Sequence, residues 1–184
     1  MRIVAGEFRS RVIDAVEGSQ TRPTGDKVKE AVFSRIGPYF DQGIMLDAYA
    51  GSGNISFEAL SRGMQESYMC DVSAKAVATI RKNAKRLDVE KRCHIYKRDV
   101  FTMLDEFAAQ GLSFDLVYMD PPYRQQKCDA LITALVEKSL LAKGAQVIVE
   151  SLREDSFASA YQDLILVKES VYGITKISYY RRGR

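Results

Sequence analysis

The sequence predicts an α/β fold with a mostly parallel, seven-stranded sheet, helices on both faces and an antiparallel C-terminal hairpin. Two observations predict it. From Gly43 onward, apolar runs of strand length alternate with apolar residues at helical spacing, and strand-helix-strand order favours parallel neighbours. The last two β-rich runs flank Gly173 with no helix between them, which is typical of an antiparallel hairpin.

The first 40 residues fall outside this alternation. We expect residues 1–40 to form a small extension of one β-hairpin and one helix, and residues 41–184 to form the main domain. Residues 2–4 and 11–13 are β-prone and flank a short turn, which predicts the hairpin. Asp26 is predicted to cap the helix that follows.

The first half of the alternation predicts three strands, at residues 44–50, 66–70 and 93–96. Gly63 is a typical stop for the helix predicted at residues 55–62. Ser73 is predicted to cap the next helix, because a hydroxyl there can accept from the first free N–H groups. The apolar residues of that helix keep helical spacing, at Val77, Ile80, Ala84 and Leu87.

The second half predicts four strands, at residues 114–119, 146–150, 164–168 and 174–180. Helices are predicted at residues 101–110, 128–141 and 155–161. Gly144 is predicted to form the turn into the fifth strand, since glycine is the commonest residue where a helix has ended. The last two strands form the closing hairpin, and the basic residues 181–184 are expected to be a solvated end.

Composition limits the class of protein. The chain of 184 residues is 46% hydrophobic, which is enough for a proper core. Its net charge of +3 permits a nucleic-acid partner without requiring one. Three widely spaced cysteines indicate a reducing compartment, and the sequence has no N-terminal apolar segment and no long apolar run. We therefore expect a cytoplasmic protein without a membrane span.

A motif at the end of the fourth predicted strand is the leading candidate for catalysis. Asp120, Pro121, Pro122 and Tyr123 follow the apolar run 114–119, at the strand end where open parallel sheets bind their ligands. The prolines fix φ and lack an N–H, so their carbonyls remain as acceptors on a stiff backbone. Asp120 adds a charged acceptor and Tyr123 a face for stacking. Diproline is also common in ordinary turns, so the alternative is a purely structural turn.

A glycine-rich turn after the first predicted strand is a candidate ligand-binding site. Its candidate binding residues are Asp47, Ala50, Gly51, Ser52 and Gly53. Glycines there allow a ligand to approach the backbone. Ser56 stands where a dinucleotide fingerprint has its third small residue, and no Gly-Lys-Ser/Thr of a P-loop follows. The turn therefore favours a nucleoside over a pyrophosphate.

Two further carboxylates follow predicted strands. Asp71 ends the second strand, where it can accept from both hydroxyls of a ribose. Asp99 follows the third strand, where it can accept from an adenine amino group. Each alone is better explained by a turn or a helix cap, but three acidic strand ends around one glycine-rich turn together describe a nucleoside site without a pyrophosphate clamp.

These motifs together resemble class I S-adenosylmethionine-dependent methyltransferases that act on exocyclic amines of bases. Four further motifs resemble bacterial 16S ribosomal RNA guanine-N2 methyltransferases of the RsmD type: R-I-V-A-G from Arg2, R-P-T from Arg22, V-K-E-A-V-F from Val28 and Y-G-I-T from Tyr172. The resemblance covers nearly the whole chain. It departs at D-L-F, where this chain has Asp47-Ala48-Tyr49, and the glycines and the acid are unaffected.

The resemblance implies a Rossmann-like class I fold, S-adenosyl-L-methionine as cofactor, and small-subunit ribosomal RNA or its assembly particle as partner. It also implies that Thr24, Val100 and Asp120 contribute to cofactor binding. The resemblance of the R-P-T motif further implies that Arg22 lies beside the mouth of the active site. No membrane and no metal is implied, and the single histidine, His94, excludes sites built on several histidines.

Residue chemistry bears on which base is methylated. Asp120 is an acceptor-only carboxylate, which suits the adjacent N1–H and N2–H donors of guanine. Adenine presents a donor beside an acceptor and suits an amide better, although adenine-N6 methyltransferases resembling this pattern also have Asp. The alternatives left open are therefore an adenine-N6 DNA or RNA methyltransferase and a catalytically silent RNA-binding module.

The arginines of the N-terminal extension are the candidate contacts with RNA. They lie outside the predicted nucleoside site, at Arg2, Arg9, Arg11 and Arg22. Guanidinium groups bind phosphate oxygens bidentately, so a basic hairpin is suited to an RNA backbone. The alternative is a solvated hairpin that covers the edge of a sheet.

Overall fold

The computed structural model describes residues 1–18, 25–122 and 127–183. Its backbone divides into two units, Met1–Arg98 and Asp99–Arg184, each of which is described by itself below. The predicted boundary between residues 1–40 and 41–184 stays a prediction.

The described residues of the first unit form three parallel strands and three α-helices. In chain order these are α1 (Asp26–Ile36), β1 (Ile44–Asp47), α2 (Asn54–Ser61), β2 (Glu66–Cys70), α3 (Ala74–Leu87) and β3 (Cys93–Tyr96). The strand β2 lies between β1 and β3 and pairs in parallel with both, as strand-helix-strand order predicts. Its predicted bounds and those of β3 are confirmed.

Two predictions about this unit are wrong in detail. Asp26 does not cap α1, because the helix begins at Asp26 itself and the N-cap position is Gly25. The first strand ends at Asp47 instead of Ala50, since the following residues already form the glycine-rich turn. Ser73 is confirmed as a cap: its side chain accepts a hydrogen bond from the N–H of Ala76.

The N-terminal segment forms the predicted antiparallel turn, but with a single bridge, between Arg2 and Val12, in place of two strands. The N–H of Ile3 donates to the carbonyl of Arg11 at 3.0 Å. Gly6 lies against α2, where φ is +85° and a Cβ would stand 1.8 Å from the carbonyl oxygen of Ser61. Glycine is therefore required for the segment to approach α2 this closely.

Residues 99–122 and 127–183 of the second unit form five strands and two short α-helices. A 3₁₀ turn (Val100–Met103) leads into α4 (Leu104–Ala109), and then follow β4 (Phe114–Met119), α5 (Cys128–Glu137), β5 (Leu141–Leu152), β6 (Ala160–Tyr161), β7 (Leu164–Tyr172) and β8 (Thr175–Arg182). The strands β4 and β5 pair in parallel. The pairs β5 with β8, β8 with β7 and β7 with β6 are antiparallel, which confirms the closing hairpin.

Three predictions about the second unit are wrong. The described residues contain eight strands instead of seven, because residues 160–161 form the short β6 within the span 155–161 where a helix was predicted. Asp155 instead closes the preceding turn, by accepting from the N–H of Leu152 at 2.7 Å. Gly144 lies inside β5 with φ +74°, next to an irregularity in the pairing with β4. Residues 181–182 belong to β8 and are not a solvated end.

The architecture confirms the predicted fold class: parallel strands alternate with helices, and antiparallel strands follow at the C-terminal end. Over the three described ranges of the chain, no helix is long and apolar enough to cross a membrane.

Candidate active site

The turn that follows β1 has the geometry of a ligand-binding turn. Gly51 and Gly53 both have positive φ, at +55° and +81°. A Cβ on Gly53 would lie 2.5 Å from the ring of Phe57, whereas a Cβ on Gly51 would meet nothing within 4 Å. Glycine is needed at both positions for the backbone, and the space over Gly51 is open for a ligand.

Asp71, at the end of β2, lies against this turn. Its Oδ2 accepts a hydrogen bond from the N–H of Gly51 at 2.9 Å, and its Oδ1 accepts from the N–H of Ser73 at 2.8 Å. Each carboxylate oxygen has a second lone pair, so both can accept again from ribose hydroxyls. Val72, the next residue, is 69% exposed and offers an apolar surface beside the carboxylate. This combination of donors, acceptors and apolar surface fits a nucleoside.

Asp47 is buried beneath the turn. Its Oδ2 accepts from the hydroxyl of Ser56 at 2.7 Å, and that hydroxyl accepts in turn from Ser67 at 2.9 Å. Burial, with a smaller contribution from the negative charge of Asp71, raises the pKa of the Asp47 carboxyl to about 7, although the hydrogen bond from Ser56 acts to lower it. Ser56 therefore serves the site by holding Asp47.

Asn83 supports the turn from the buried face of α3. Its Nδ2 donates to the carbonyl oxygen of Ser52 at 3.1 Å and to that of Asp14 at 3.0 Å. Its Oδ1 accepts from the N–H of Asp14 at 2.8 Å. Asn83 is not among the site residues predicted from the sequence, although an amide on the apolar face of a predicted helix is a usable signal.

A buried lysine on α1 connects the N-terminal segment to the start of α2. The side chain of Lys29 is fully buried, and its ammonium donates to the carbonyl of Arg2 at 2.7 Å and to Oδ1 of Asn54 at 2.8 Å. It lies 3.2 Å from the carboxylate of Glu58. Burial lowers the pKa of Lys29, while the charge of Glu58 opposes that shift.

Glu58 is the centre of this network. It is fully buried, and its carboxylate accepts from the backbone N–H groups of Val4 and Ala5 at 2.8 and 3.1 Å. It also accepts from Nε of Arg62 at 2.8 Å. The N-terminal segment and α1 are thus fixed to the helix that begins directly after Gly53, so the motifs around Arg2 and Val28 have a structural role.

Asp99 precedes the 3₁₀ turn of the second unit. Its Oδ1 accepts from the N–H of Phe101 at 2.9 Å, so it caps that turn, and its side chain is exposed. Val100 is almost fully buried. The capping role is observed, and the predicted contact of Asp99 with a cofactor stays a prediction.

The end of β4 carries the candidate catalytic residues. Asp120 is half-buried, Pro121 is buried and Pro122 is exposed. Just before them, the hydroxyl of Tyr118 donates to Oε2 of Glu150 at 2.7 Å, which joins the ends of β4 and β5. The motif therefore starts from a rigid, buried base.

Cys128, the first residue of α5, lies within electrostatic reach of this motif. Burial raises the pKa of its thiol to about 12, and the negative charges of Asp129, Asp120 and Asp155 contribute in that order. The thiol is therefore neutral at pH 7 and unsuited to act as a nucleophile.

The candidate RNA contacts differ in their surroundings. Arg2 lies 3.9 Å from Asp26 with a 62% exposed side chain, and Arg9 is exposed. Arg11 donates to the carbonyl oxygens of Arg86 and Leu87 at the end of α3. The remaining predicted site residues, Arg22, Thr24 and Tyr123, lie outside the described residues.

Comparison with known proteins gives matches over the whole length of the chain. A family model described as "Conserved hypothetical protein 95" matches residues 1–181. The "Putative rRNA methyltransferase YlbH" of Bacillus subtilis is 38% identical over 99% of both chains. "Ribosomal RNA small subunit methyltransferase D" of Haemophilus influenzae is 30% identical over 98% of this chain and 93% of its own.

A solved Escherichia coli structure named "Putative methyltransferase yhhF" is 28% identical, with a TM-score of 0.87 over 100% of this chain and 98% of its own. The fold therefore matches a methyltransferase fold as a whole, and the family match confirms the cofactor that the resemblance implied. The chain belongs to the RsmD/YlbH-type family of S-adenosylmethionine-dependent rRNA methyltransferases, which has the class I methyltransferase fold.

Proposed function

We propose that this protein methylates the exocyclic N2 amine of a guanine in small-subunit ribosomal RNA, in the cytoplasm. The observation that carries the proposal is Asp120 with its diproline at the end of the buried strand β4, in a chain matched along its full length by a small-subunit rRNA methyltransferase. The substrate is the RNA or its assembly particle, and neither a metal nor a membrane takes part.

The cofactor is proposed to bind residues of the glycine-rich turn and the strand ends. These are Thr24, Asp47, Ala50, Gly51, Ser52, Gly53, Asp71, Asp99, Val100 and Asp120. Bound S-adenosylmethionine supplies an electrophilic methyl group. The open space over Gly51 and the two remaining acceptor positions of Asp71 support this assignment. Asp47 acts from beneath the turn, where Ser56 holds its carboxyl.

Asp120 is proposed to prepare the target amine for attack. The lone pair of an exocyclic amine is delocalised into the ring, so the nitrogen is a weak nucleophile. An Asp120 carboxylate and a Pro121 carbonyl that accept its N–H groups orient the nitrogen. As the bond between this nitrogen and the methyl carbon would form and the bond from that carbon to sulfur would break, positive charge would develop on nitrogen. A fixed carboxylate stabilises that charge by roughly a hundredfold or more in rate.

Guanine is the base that this acceptor favours. A carboxylate can accept from N1–H and N2–H together, whereas the acceptor at N1 of adenine would face a negative oxygen. Tyr123 is proposed to stack on the extruded base, and Pro122 keeps the loop stiff. Arg2, Arg9, Arg11 and Arg22 are proposed to contact the RNA backbone.

The proposal is tested by identifying the product. The full chain is incubated with tritiated cofactor and an unmodified small-subunit rRNA transcript, either naked or in partly assembled particles. The RNA is then digested to nucleosides and chromatographed. Label in N2-methylguanosine is expected. Label in N6-methyladenosine would reverse the base assignment, and RNA binding without transfer to either substrate would identify a silent binding module.

A further inference from the structure

Positive charge is concentrated in the first unit. Residues 1–98 carry 17 Lys and Arg against 12 Asp and Glu, while residues 99–184 carry 10 against 12. Within the first unit, residues 75–98 carry nine basic side chains and two acidic ones. The modest net charge of +3 therefore conceals a strongly basic stretch that begins just after Asp71.

The helix α3 has one buried and one basic face. Its buried residues are Ala76, Val77, Ile80, Asn83, Ala84 and Leu87. The opposite face carries five basic side chains and no acidic one, at Lys75, Arg81, Lys82, Lys85 and Arg86. Pairs of opposite charge at i, i+4 spacing stabilise an exposed helix, and this face has no such pair because all its charged side chains are basic.

Two of these five basic groups are already neutralised. Lys82 lies 2.7 Å from the carboxylate of Asp14, and Arg86 donates to both oxygens of the same carboxylate at 2.7 and 3.1 Å. These ion pairs lower the pKa of Asp14. Lys75, Arg81 and Lys85 are exposed and carry their charge outward.

Helix stability accounts for only one of the three outward charges. Lys85 stands in the last turn, where a cation interacts favourably with the helix dipole. Lys75 stands in the first turn, where a cation is unfavourable, and Arg81 is mid-helix. A polyanion lying along the helix would compensate for this charge.

We infer that the outward face of α3, defined by Lys75, Arg81 and Lys85, binds the phosphate backbone of the RNA substrate. The inference rests on the proposed function, because it takes RNA as the substrate. The face begins four residues after Asp71, the proposed ribose-binding residue, so an RNA strand along it leads away from the proposed cofactor site.

The face is continuous with the N-terminal segment. Arg11 donates to the carbonyls of Arg86 and Leu87, and Arg86 donates to the carbonyl of Val12 at 3.3 Å. Exposed Arg9 lies on the same segment. The part of the N-terminal segment that carries Arg9 and Arg11 therefore forms one basic surface with the α3 face within the first unit.

The test is a salt titration of RNA binding by the full chain. The probe is the small-subunit rRNA transcript, bound by wild type and by the triple variant Lys75→Gln/Arg81→Gln/Lys85→Gln. Each lost phosphate contact lowers the slope of log affinity against log salt by about 0.7 to 0.9, so the triple variant is expected to lose about 2 to 3 units. Its cofactor affinity, the control for folding, is expected to be unchanged.

A matched control separates the face from net charge. Lys143→Gln/Arg153→Gln/Lys168→Gln removes three exposed cations from the second unit and is expected to keep the wild-type slope. An unchanged slope in the α3 variant, or an equal loss in both triples, overturns the inference while methylation by wild type still supports the proposed function. Absence of RNA binding and methyl transfer by wild type overturns both.

Discussion

Asp71 accepts a hydrogen bond from the backbone N–H of Gly51 at 2.9 Å, so the carboxylate at the end of β2 holds the glycine-rich turn that follows β1. The same carboxylate accepts from Ser73 at the start of α3. One side chain therefore joins the two segments of the first unit that are proposed to hold the cofactor, and its substitution affects the shape of the site as well as its contacts.

Asp71→Ala is expected to weaken S-adenosylmethionine binding by roughly 1.5 to 3 kcal/mol, because it removes charged acceptors from the ribose hydroxyls. Calorimetry on the purified protein measures the affinity. Ser73→Ala is the matched control: it removes the cap of α3, at about 1 kcal/mol of stability, and leaves the ribose acceptor in place. An unchanged dissociation constant for Asp71→Ala would assign the residue to the turn alone.

Asp120→Ala is expected to separate binding from chemistry. Its proposed contact strengthens only as charge develops on the amine, so methyl transfer should fall by about a hundredfold or more with cofactor affinity nearly intact. Single-turnover rates with saturating RNA measure the transfer step. Pro122→Ala keeps the carboxylate and is expected to cost much less. Near-normal transfer by Asp120→Ala would contradict its role as the acceptor.

Much of the fold was predictable because its signals are local. Ser73 is a typical N-cap residue and was predicted as one. The bounds of β2, β3 and β4 follow from short, mostly apolar runs between turn residues. The predicted turn at Gly144 was wrong, because a glycine at an irregularity inside a strand cannot be distinguished by sequence from a glycine in a turn.

The candidate site was predictable where a polar side chain directly follows a predicted strand, as Asp71 and Asp120 do. It was not predictable where a residue acts through a distant partner. The contacts of Lys29 with Asn54 and Glu58 could not be predicted from the sequence, because they depend on how α1 and the N-terminal segment fold back on α2. The family resemblance identified the motifs around Arg2 and Val28 as features of that family's pattern, but it did not show that their role is structural.

Lys29→Met is expected to destabilise the protein by about 3 to 5 kcal/mol, because it leaves the fully buried carboxylate of Glu58 without its lysine partner. Urea unfolding followed by circular dichroism measures the loss. Lys27→Met, on the exposed side of α1, is the matched control and is expected to stay within about 0.5 kcal/mol of wild type. Equal stabilities for the two variants would contradict a structural role for Lys29.

Replacing Arg9 and Arg11 together with Ala is expected to lower the salt slope of RNA binding by about one to two units, since each is proposed to bind a phosphate. Arg11 also donates to the end of α3, so Arg9→Ala alone separates RNA contact from stability. Arg22→Ala is expected to reduce turnover as well as affinity. Identical slopes in wild type and all variants would reject these arginines as RNA contacts.

Asp47 makes the stability of the fold depend on pH. Its carboxyl has a pKa of 3.8 when unperturbed and about 7 in the folded protein, chiefly because of burial. Below about pH 4 it is protonated in both states and has no effect. Between pH 4 and 7 the unfolded chain ionises while the folded protein keeps its proton, so this group increasingly favours unfolding as the pH rises. Above pH 7 its effect is constant.

Asp47→Asn removes this titration and keeps an acceptor for Ser56. Relative to wild type, the variant is therefore expected to gain stability as the pH rises from about 4 to 7 and to show no further gain above it. Urea unfolding at pH 4.5, 6 and 8 measures the difference, and Asp41→Asn, at an exposed carboxylate, provides the baseline for the loss of one charge. A difference that is flat across this range, or that shrinks with rising pH, would show that Asp47 is ionised throughout in the folded protein.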